Sequence, residues 1–501
     1  MHWSNLGDLI DRSRDLDRIA IIDLVDRDAP RTYTHRDVDG LANGVARYLV
    51  AKGLERGSRV AIASLNRAEY LASYFGIMRA GLVAVPVNIK LPRHTVDYVL
   101  HDAGVAVAFV DGASRALVGD VPVIDFDDSG PDGFAAAITP GEYTSVAAEH
   151  DEIAQMLYTS GSTGRPKGVP LSHSGQLWAL STRMRAGLSE EERYIIAQPL
   201  FHMNGLFAVK TIFASSASMV ILPSFETRSY IEALAKYRVT AAGAVPTMWA
   251  RVIKETELLA SLDLSSLRRI SLGSAPMTMG LWDRIKQAFP NVAIAVGYGT
   301  TEAGPAVFGP HPEGIPTPPL SLGYPIRDGE VALVGGTKTQ GVLIMRNPAV
   351  MRGYHNLPGQ SAKALRDGWY NSGDVMRRDE SGFYYFIERA DDMFVCSGEN
   401  IYPGEVEKVL ERHPQVQQAA VVPLPDEERS HIPVAFIVAR AGARPTVDEI
   451  RQFALANGPA YQHPRRVEFL SDLPWAGTNK IDRKALIERA RALEHGRNWP
   501  K

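Results

Sequence analysis

The chain has a single cysteine, Cys396, so no disulfide can form within it, and a reducing compartment suits it. It has no charge of one sign to spare: 54 basic residues stand against 57 acidic ones, a formal net charge of -3. Without a basic excess, nothing drives binding to nucleic acid or to an anionic membrane. Long hydrophobic runs are missing as well. The longest apolar stretch, near 206–223, is interrupted by Lys210 and several serines, and reads as core, not as a membrane span. The opening "MHWSNLGDLIDRSRDLDR" mixes charges with apolar residues and lacks a signal-peptide core. A cytoplasmic globular protein is the expectation. At 501 residues it exceeds what one hydrophobic core supports, so more than one domain is expected.

Common catalytic signatures are also absent. There is no H-E-x-x-H and no G-x-S-x-G, and an "HRD" at 35–37 has its asparagine one position too far for a kinase catalytic loop. The stretch 158–173, "YTSGSTGRPKGVPLSH", fails the Walker pattern because Gly161 and Gly164 are too close and Lys167 precedes Gly168. It fails the dinucleotide pattern too, as does "GYGTTEAG" at 297–304. What it retains suits a polyphosphate. Closely spaced glycines let backbone N–H groups converge, Thr159, Ser160, Ser162 and Thr163 add donors, and Lys167 adds a mobile charge. Taken alone, a surface Gly/Ser turn explains such a loop as well.

Along the chain, "RVAIASLN", "LVAVPVNI", "VAVAFVDG", "ERYIIAQPL", "SMVILPSF" and "VTAAGAVP" read as short strands between amphipathic segments. The helix predicted from Thr34 starts with a capping-box-like Thr34…Asp37. This alternation predicts an α/β domain of largely parallel sheets flanked by helices. After about 320 the strands shorten and turns multiply. The charged "ERADD" marks a boundary near 389–392, giving residues 1–390 as the large domain and 391–501 as a small α+β domain. Cys396 is expected to fill that domain beside Phe394 as a small apolar residue.

Further blocks accompany the loop: "PLFHMNG" (199–205), "LGSAPM" (272–277), "YGTTE" (298–302), "WYNSGDV" (369–375), "IERADDMFVCSGENIYPGEVE" (387–407) and "LPWAGTNKIDRKAL" (473–486). Several end probable strands, where open α/β sheets bind ligands. In this order and spacing the blocks resemble the adenylate-forming superfamily of acyl- and aryl-CoA ligases, over nearly the whole chain. "YGTTEAGP" is similar to the form in 4-coumarate–CoA ligases, and "DDMFVCSGENIYP" resembles 4-chlorobenzoate–CoA ligase.

The resemblance implies activation of a carboxylate by MgATP to an acyl adenylate and pyrophosphate, followed by displacement of AMP by a thiol, commonly that of coenzyme A. Thr159, Ser160, Gly161, Ser162, Thr163, Gly164 and Lys167 would wrap the outer phosphates. Thr301 would meet the α-phosphate, and Glu302 would help hold Mg2+. Lys480 would bridge the attacking carboxylate and the α-phosphoryl oxygens. Gly273, Ser274, Ala275, Pro276 and Tyr298 would line the adenine, and Gly299 and Thr300 would also belong to the ATP site. Asp374 would take the ribose hydroxyls with Arg389 beside it, and His202 would lie between acyl and nucleotide pockets. Asp391 matches the hinge about which the small domain moves, bringing Gly398 and Glu399 to pantetheine in a second pose. Tyr461, His463 and Arg465 resemble the segment that meets the CoA nucleotide, with Lys90 as a further candidate; a solvated charged face explains these basic residues equally well. Asn479 stands where most members have glycine, and Asp391–Asp392 replaces a lysine-containing version; both departures occur in aryl-type relatives.

For the acid, the pocket candidates are Trp178, Thr182, His202, Met203, Asn204, Gly243, Val245, Trp249, Ala275, Met277, Thr300, Gly304 and Pro305. They include no lysine or arginine, so a second carboxylate is disfavoured. An aromatic or arylalkenoic acid is expected, with a medium-chain fatty acid, or loading of a carrier-protein thiol, as alternatives. The chain ends soon after Lys480, which permits the free-CoA reading. Expected partners are the acid, ATP and CoA, with no nucleic acid and no membrane; a homodimer stays open beside a monomer.

Overall fold

The computed structural model describes residues 3–159, 165–185, 187–390, 392–396, 399–426, 429–476, 481–496 and 499. Ser160, Gly161, Ser162, Thr163, Gly164, Asp391, Gly398 and Lys480 lie outside the described residues, and of Glu399 only the strand backbone Glu399–Ile401 is described.

Short β-branched runs become the strands of two large sheets. One has seven strands, in spatial order Ala293–Val296, Arg269–Leu272, Ala241–Ala244, Arg193–Ile196, Ser218–Ile221, Ile19–Asp23 and Arg31–Thr34. The other has six: Val123–Asp125, Val105–Val110, Arg59–Ala63, Val83–Pro86, Ile153–Thr159 and Lys167–Ser172. Each is parallel except at one edge, where Arg31–Thr34 and Lys167–Ser172 run antiparallel to their neighbours. The strands that flank the glycine-rich segment in sequence, Ile153–Thr159 and Lys167–Ser172, pair antiparallel with Thr159 opposite Lys167.

Helices His35–Ala51, Ala68–Arg79 and Met203–Ala214 share one core with both sheets, joining Leu49, Phe75 and Phe213 to Ile62 and Ile221. The first begins in the expected capping box: Thr34 accepts from the Asp37 N–H and Asp37 accepts from the Thr34 N–H. Lys210 interrupts the apolar texture of Met203–Ala214 yet is fully buried, donating to Gln176 Oε1 at 2.8 Å. Burial lowers its pKa to about 7.

Helices Thr227–Lys236, Pro246–Val252 and Met279–Ala288 cover the outer face of the seven-stranded sheet. Strand alternation divides the side chains: Ile195, Ala242, Ala244, Ile270 and Leu272 enter that outer layer. Tyr194, Ile196, Gly243 and Ser271 take the opposite phase of the same strands and border a cavity.

After residue 320 the texture changes as expected. Glu330–Val334, Gln340–Arg346, Trp369–Arg378, Leu365–Arg366 and Tyr384–Arg389 form an antiparallel sheet. Beyond it lies a second core, built on strands Phe394–Cys396, Glu399–Ile401, Val416–Asp426, Ser430–Ala439 and Arg466–Leu470. Helices Pro403–Glu411 and Val447–Asn457 pack on one face with buried Cys396, and Arg483–Gly496 packs on the other. This smaller unit touches the larger through Gly404, whose N–H donates to Glu388 Oε2 at 3.2 Å, and Lys408, which donates to the Phe386 carbonyl at 3.4 Å. Among the described residues no helix is long and apolar enough to cross a membrane.

Candidate active site

The carboxyl ends of the parallel strands open onto a cavity of about 2870 Å³. Its border takes in loops of the seven-stranded sheet, the end of Ile153–Thr159, the antiparallel sheet and the edge of the smaller unit. At one side sits Asp374, buried on Trp369–Arg378. Its carboxylate accepts from the Tyr298 hydroxyl and, at 3.0 Å, from Arg389 Nη1. Antiparallel register sets Asp374 directly opposite Arg389, and the same guanidinium donates to the Ser372 carbonyl at 2.7 Å. Burial, with the Asp374 charge second, raises the Tyr298 pKa, so the phenol stays a donor.

A second carboxylate, Glu302, is also buried. It accepts from the Tyr354 hydroxyl at 3.1 Å and from Thr159 Oγ1 at 3.4 Å. Lys167 Nζ stands 4.2 Å from the centre of the Tyr354 ring, a cation–π contact that keeps its charge near Glu302. Burial and then Glu302 raise the Tyr354 pKa, so it too remains protonated. The turn that carries Glu302 is tight: a Cβ on Gly299 would lie 2.6 Å from Pro305 Cα. Across the sheet ends, Ser274 holds a φ of 65°, the left-handed region a non-glycine residue seldom takes.

The cavity brings together most residues singled out by sequence. Thr159, Gly273, Ser274, Ala275, Pro276, Tyr298, Gly299, Thr300, Thr301, Glu302, Asp374 and Arg389 line it, as do His202, Met203, Asn204, Gly243, Met277, Pro305 and Lys90. Trp475 and Ile481, in the block that contains Lys480, line it as well. Tyr461, His463 and Arg465 do not. They precede Arg466–Leu470 in the smaller unit, where Arg465 Nη1 lies 2.8 Å from His463 Nε2.

Four expected pocket residues need correction. Trp249 is fully buried on the far side of the sheet, edge-to-face with Tyr230 and Phe289. Helix Pro246–Val252 packs on the outer face, and its periodicity turns Trp249 into that core. Gly304 faces the neighbouring loop, where a Cβ would come within 2.7 Å of Ala349 Cβ. Trp178 and Thr182 are also outside the lining; Thr182 Oγ1 donates back to the Trp178 carbonyl at 3.0 Å.

Sequence reasoning missed an arginine. Arg183, near the end of helix His173–Met184, lines the cavity with Tyr194 and Thr211, so the expected absence of lysine and arginine does not hold. A signal existed: Gln176, Ala179 and Leu180 are the buried stripe of that helix, and position 183 continues it.

Residues 11–355 match the AMP-binding enzyme family, and residues 405–480 its C-terminal domain. The chain is 33% identical to a feruloyl-CoA synthase of an Amycolatopsis species, over 89% of this chain and 91% of the relative. It is 31% identical to a long-chain-fatty-acid–CoA ligase of Bacillus subtilis, over 92% and 91%. Its fold superposes on an anthranilate CoA ligase solved in complex with anthranoyl-AMP, with a TM-score of 0.87, 28% identity and 98% of each chain covered. The two buried carboxylates, the sheet ends between them and these matches give one conclusion: the chain belongs to the adenylate-forming AMP-binding enzymes.

Proposed function

We propose that this chain is an AMP-forming acid–CoA ligase acting on an aromatic or arylalkenoic acid in the cytoplasm. One observation carries the reading: Asp374 with Tyr298 and Arg389, and Glu302 with Thr159, border the same cavity as a pocket floored by the inner face of the sheet, while Lys167 stands outside that lining against the ring of Tyr354, whose hydroxyl donates to Glu302. The carboxylate oxygen of the acid attacks the α-phosphorus of ATP, the bond to the β-phosphate oxygen breaks, and pyrophosphate leaves. The CoA sulfur then attacks the acyl carbon, and the bond to AMP breaks. Both partners in the first step are anions, so alignment and charge neutralisation supply much of the barrier reduction.

In this reading Asp374 binds the ribose hydroxyls, held by Tyr298 and Arg389. The 159–164 loop and Lys167 hold the departing pyrophosphate. Thr301 meets the α-phosphate, His202 separates the two pockets, and Lys480 bridges carboxylate and phosphorus. Glu302 would hold Mg2+, which would neutralise phosphate charge. Among the described residues no cluster of three or more His, Cys, Asp or Glu could hold a metal alone, which fits an ion shared by one carboxylate and phosphate oxygens. Residues 1–390 and 391–501 would move about Asp391, presenting Gly398 and Glu399 to pantetheine. Tyr461, His463, Arg465 and Lys90 would meet the CoA nucleotide.

The test is pyrophosphate release across a panel of aromatic, arylalkenoic and medium-chain fatty acids, each with and without CoA. Release that depends on an aromatic or arylalkenoic acid, with acyl-CoA formed on adding CoA, is the expected result. Preference for fatty acids would replace the substrate class, and no acid-dependent release would sink the ligase reading.

A further inference from the structure

The acyl side of the cavity has a chemical far end. It follows the inner face of the seven-stranded sheet from the carboxyl ends, at Gln198, Gly243 and Gly273, toward the amino ends at Tyr194 and Ala241. Four residue steps lead from Tyr194 to Gln198, just past the strand end, spanning at most roughly 13 Å at 3.3 Å per residue. That length holds a benzene ring with a short spacer.

The far end is polar and cationic. Tyr194 is the second residue of its strand and Arg269 the first of its own, both in register with Ala241. Arg269 donates to the Tyr194 hydroxyl at 3.0 Å and stands 3.7 Å from the Glu192 carboxylate, so its charge has a partner. Arg183 faces the same place from helix His173–Met184, with Tyr194 and Arg269 as its charged or titratable neighbours. Among the described residues no carboxylate pairs with the Arg183 guanidinium. A guanidinium cannot shed its charge as a lysine does, and desolvating one without a counter-ion is costly. Burial lowers its pKa, in keeping with that cost, and the second arginine nearby adds to it. A planar fork of donors at the far end of a substrate pocket fits a carboxylate in shape and sign.

We infer that Arg183 is a specificity residue, and that the acid this enzyme activates carries a second carboxylate at the end remote from the one joined to AMP. The inference rests on the acid–CoA ligase reading and narrows its substrate class. The distal carboxylate pairs with Arg183, the Tyr194 hydroxyl borders it, and the ring lies on the small residues Ala241, Gly243 and Ser271.

The experiment compares cinnamate, 4-hydroxycinnamate and 4-carboxycinnamate as triggers of pyrophosphate release by the wild-type enzyme, by Arg183→Met and by Arg183→Lys. The expected wild-type order in kcat/KM places 4-carboxycinnamate first. Arg183→Met should lower kcat/KM for that acid by about 10- to 100-fold, the scale of a lost charge-assisted contact, and change cinnamate less than about threefold. Arg183→Lys should recover part of the loss. A wild-type preference for cinnamate overturns the inference, and needs no variant to fold. A preference for 4-hydroxycinnamate that falls in Arg183→Met overturns it in favour of a neutral acceptor. An unchanged ratio of the acids in Arg183→Met also overturns it. In each of those cases acid-dependent release still occurs and the ligase reading stands; release from none of these three acids but from another acid of the wider panel overturns the inference alone, and release from no acid of that panel overturns both.

Discussion

Asp374 is approached from two sides: a phenol on one loop and a guanidinium on the neighbouring strand. Both hold the carboxylate oriented for a ligand, and they are not equivalent. Losing the Tyr298 hydroxyl leaves Arg389 in place, so Tyr298→Phe should raise KM for ATP about tenfold with kcat little changed. Asp374→Ala should raise it further and leave Arg389 without this carboxylate. The KM for ATP in acid-dependent pyrophosphate release checks both, and a kcat effect without a KM effect would count against a ribose role. This part of the site is legible in sequence because its residues sit in short blocks with fixed local geometry. Arg183 and Trp249 were not. A charged residue on a helix reads as solvent-facing, and an aromatic just past a strand of small residues reads as pocket wall. Only the packing of each helix against the sheet says which way the side chain points.

At the level of one element, helix Met203–Ala214 shows what an apolar run conceals. Its composition foretold burial between the sheets, but not that Lys210 would go in with it. The ammonium meets Gln176, which also accepts from Gln155 Nε2 at 3.3 Å, and its lowered pKa comes from burial alone. The folded chain releases the proton near pH 7, while the unfolded chain keeps it to the ordinary lysine value of 10.5. Between those values the unfolded state binds more protons, so stability rises with pH, by at most about 1.4 kcal/mol per unit; below pH 7 both states are protonated and the penalty is constant. Lys210→Met should therefore raise Tm most at pH 7 and progressively less toward pH 10. A Tm difference that ignores pH would refute the assignment. The capping box at Thr34, by contrast, was fully readable, since all its atoms belong to four consecutive residues.

The whole molecule poses a question of spacing along the chain. Strand order in the seven-stranded sheet is far from chain order, so nothing local in the sequence says that Tyr194, Arg269 and Ala241 meet. Fold class and the change to antiparallel texture after 320 were readable from period and turns. The cavity between the sheet's inner face and helices His173–Met184 and Met203–Ala214 was not, because crossovers create it. The smaller unit rests on the larger through Glu388 and Gly404, with Arg483 bonded to Glu407 at 2.7 Å close by. Burial raises the Glu388 pKa to about 8. If the two units change pose between half-reactions, Lys480→Ala should abolish adenylation and leave attack of CoA on pre-formed acyl-AMP within a few-fold of wild type. Measuring the half-reactions separately decides it, and equal loss of both would end the two-pose reading.

The division of the seven-stranded sheet into two working ends bears on how such a protein can change. In the proposed reading, nucleotide chemistry is gripped where the strands finish, and acid choice is made along their inner face toward where they begin. Because alternate residues face the cavity, its depth can be reset in steps of about 7 Å, by substitutions at positions such as 241, 243 or 271. On that reading, a lineage can drift from one acid to another along this inner face while inheriting its adenylation machinery intact. Sheet polarity thereby shields an old reaction from the trial and error of acquiring new substrates.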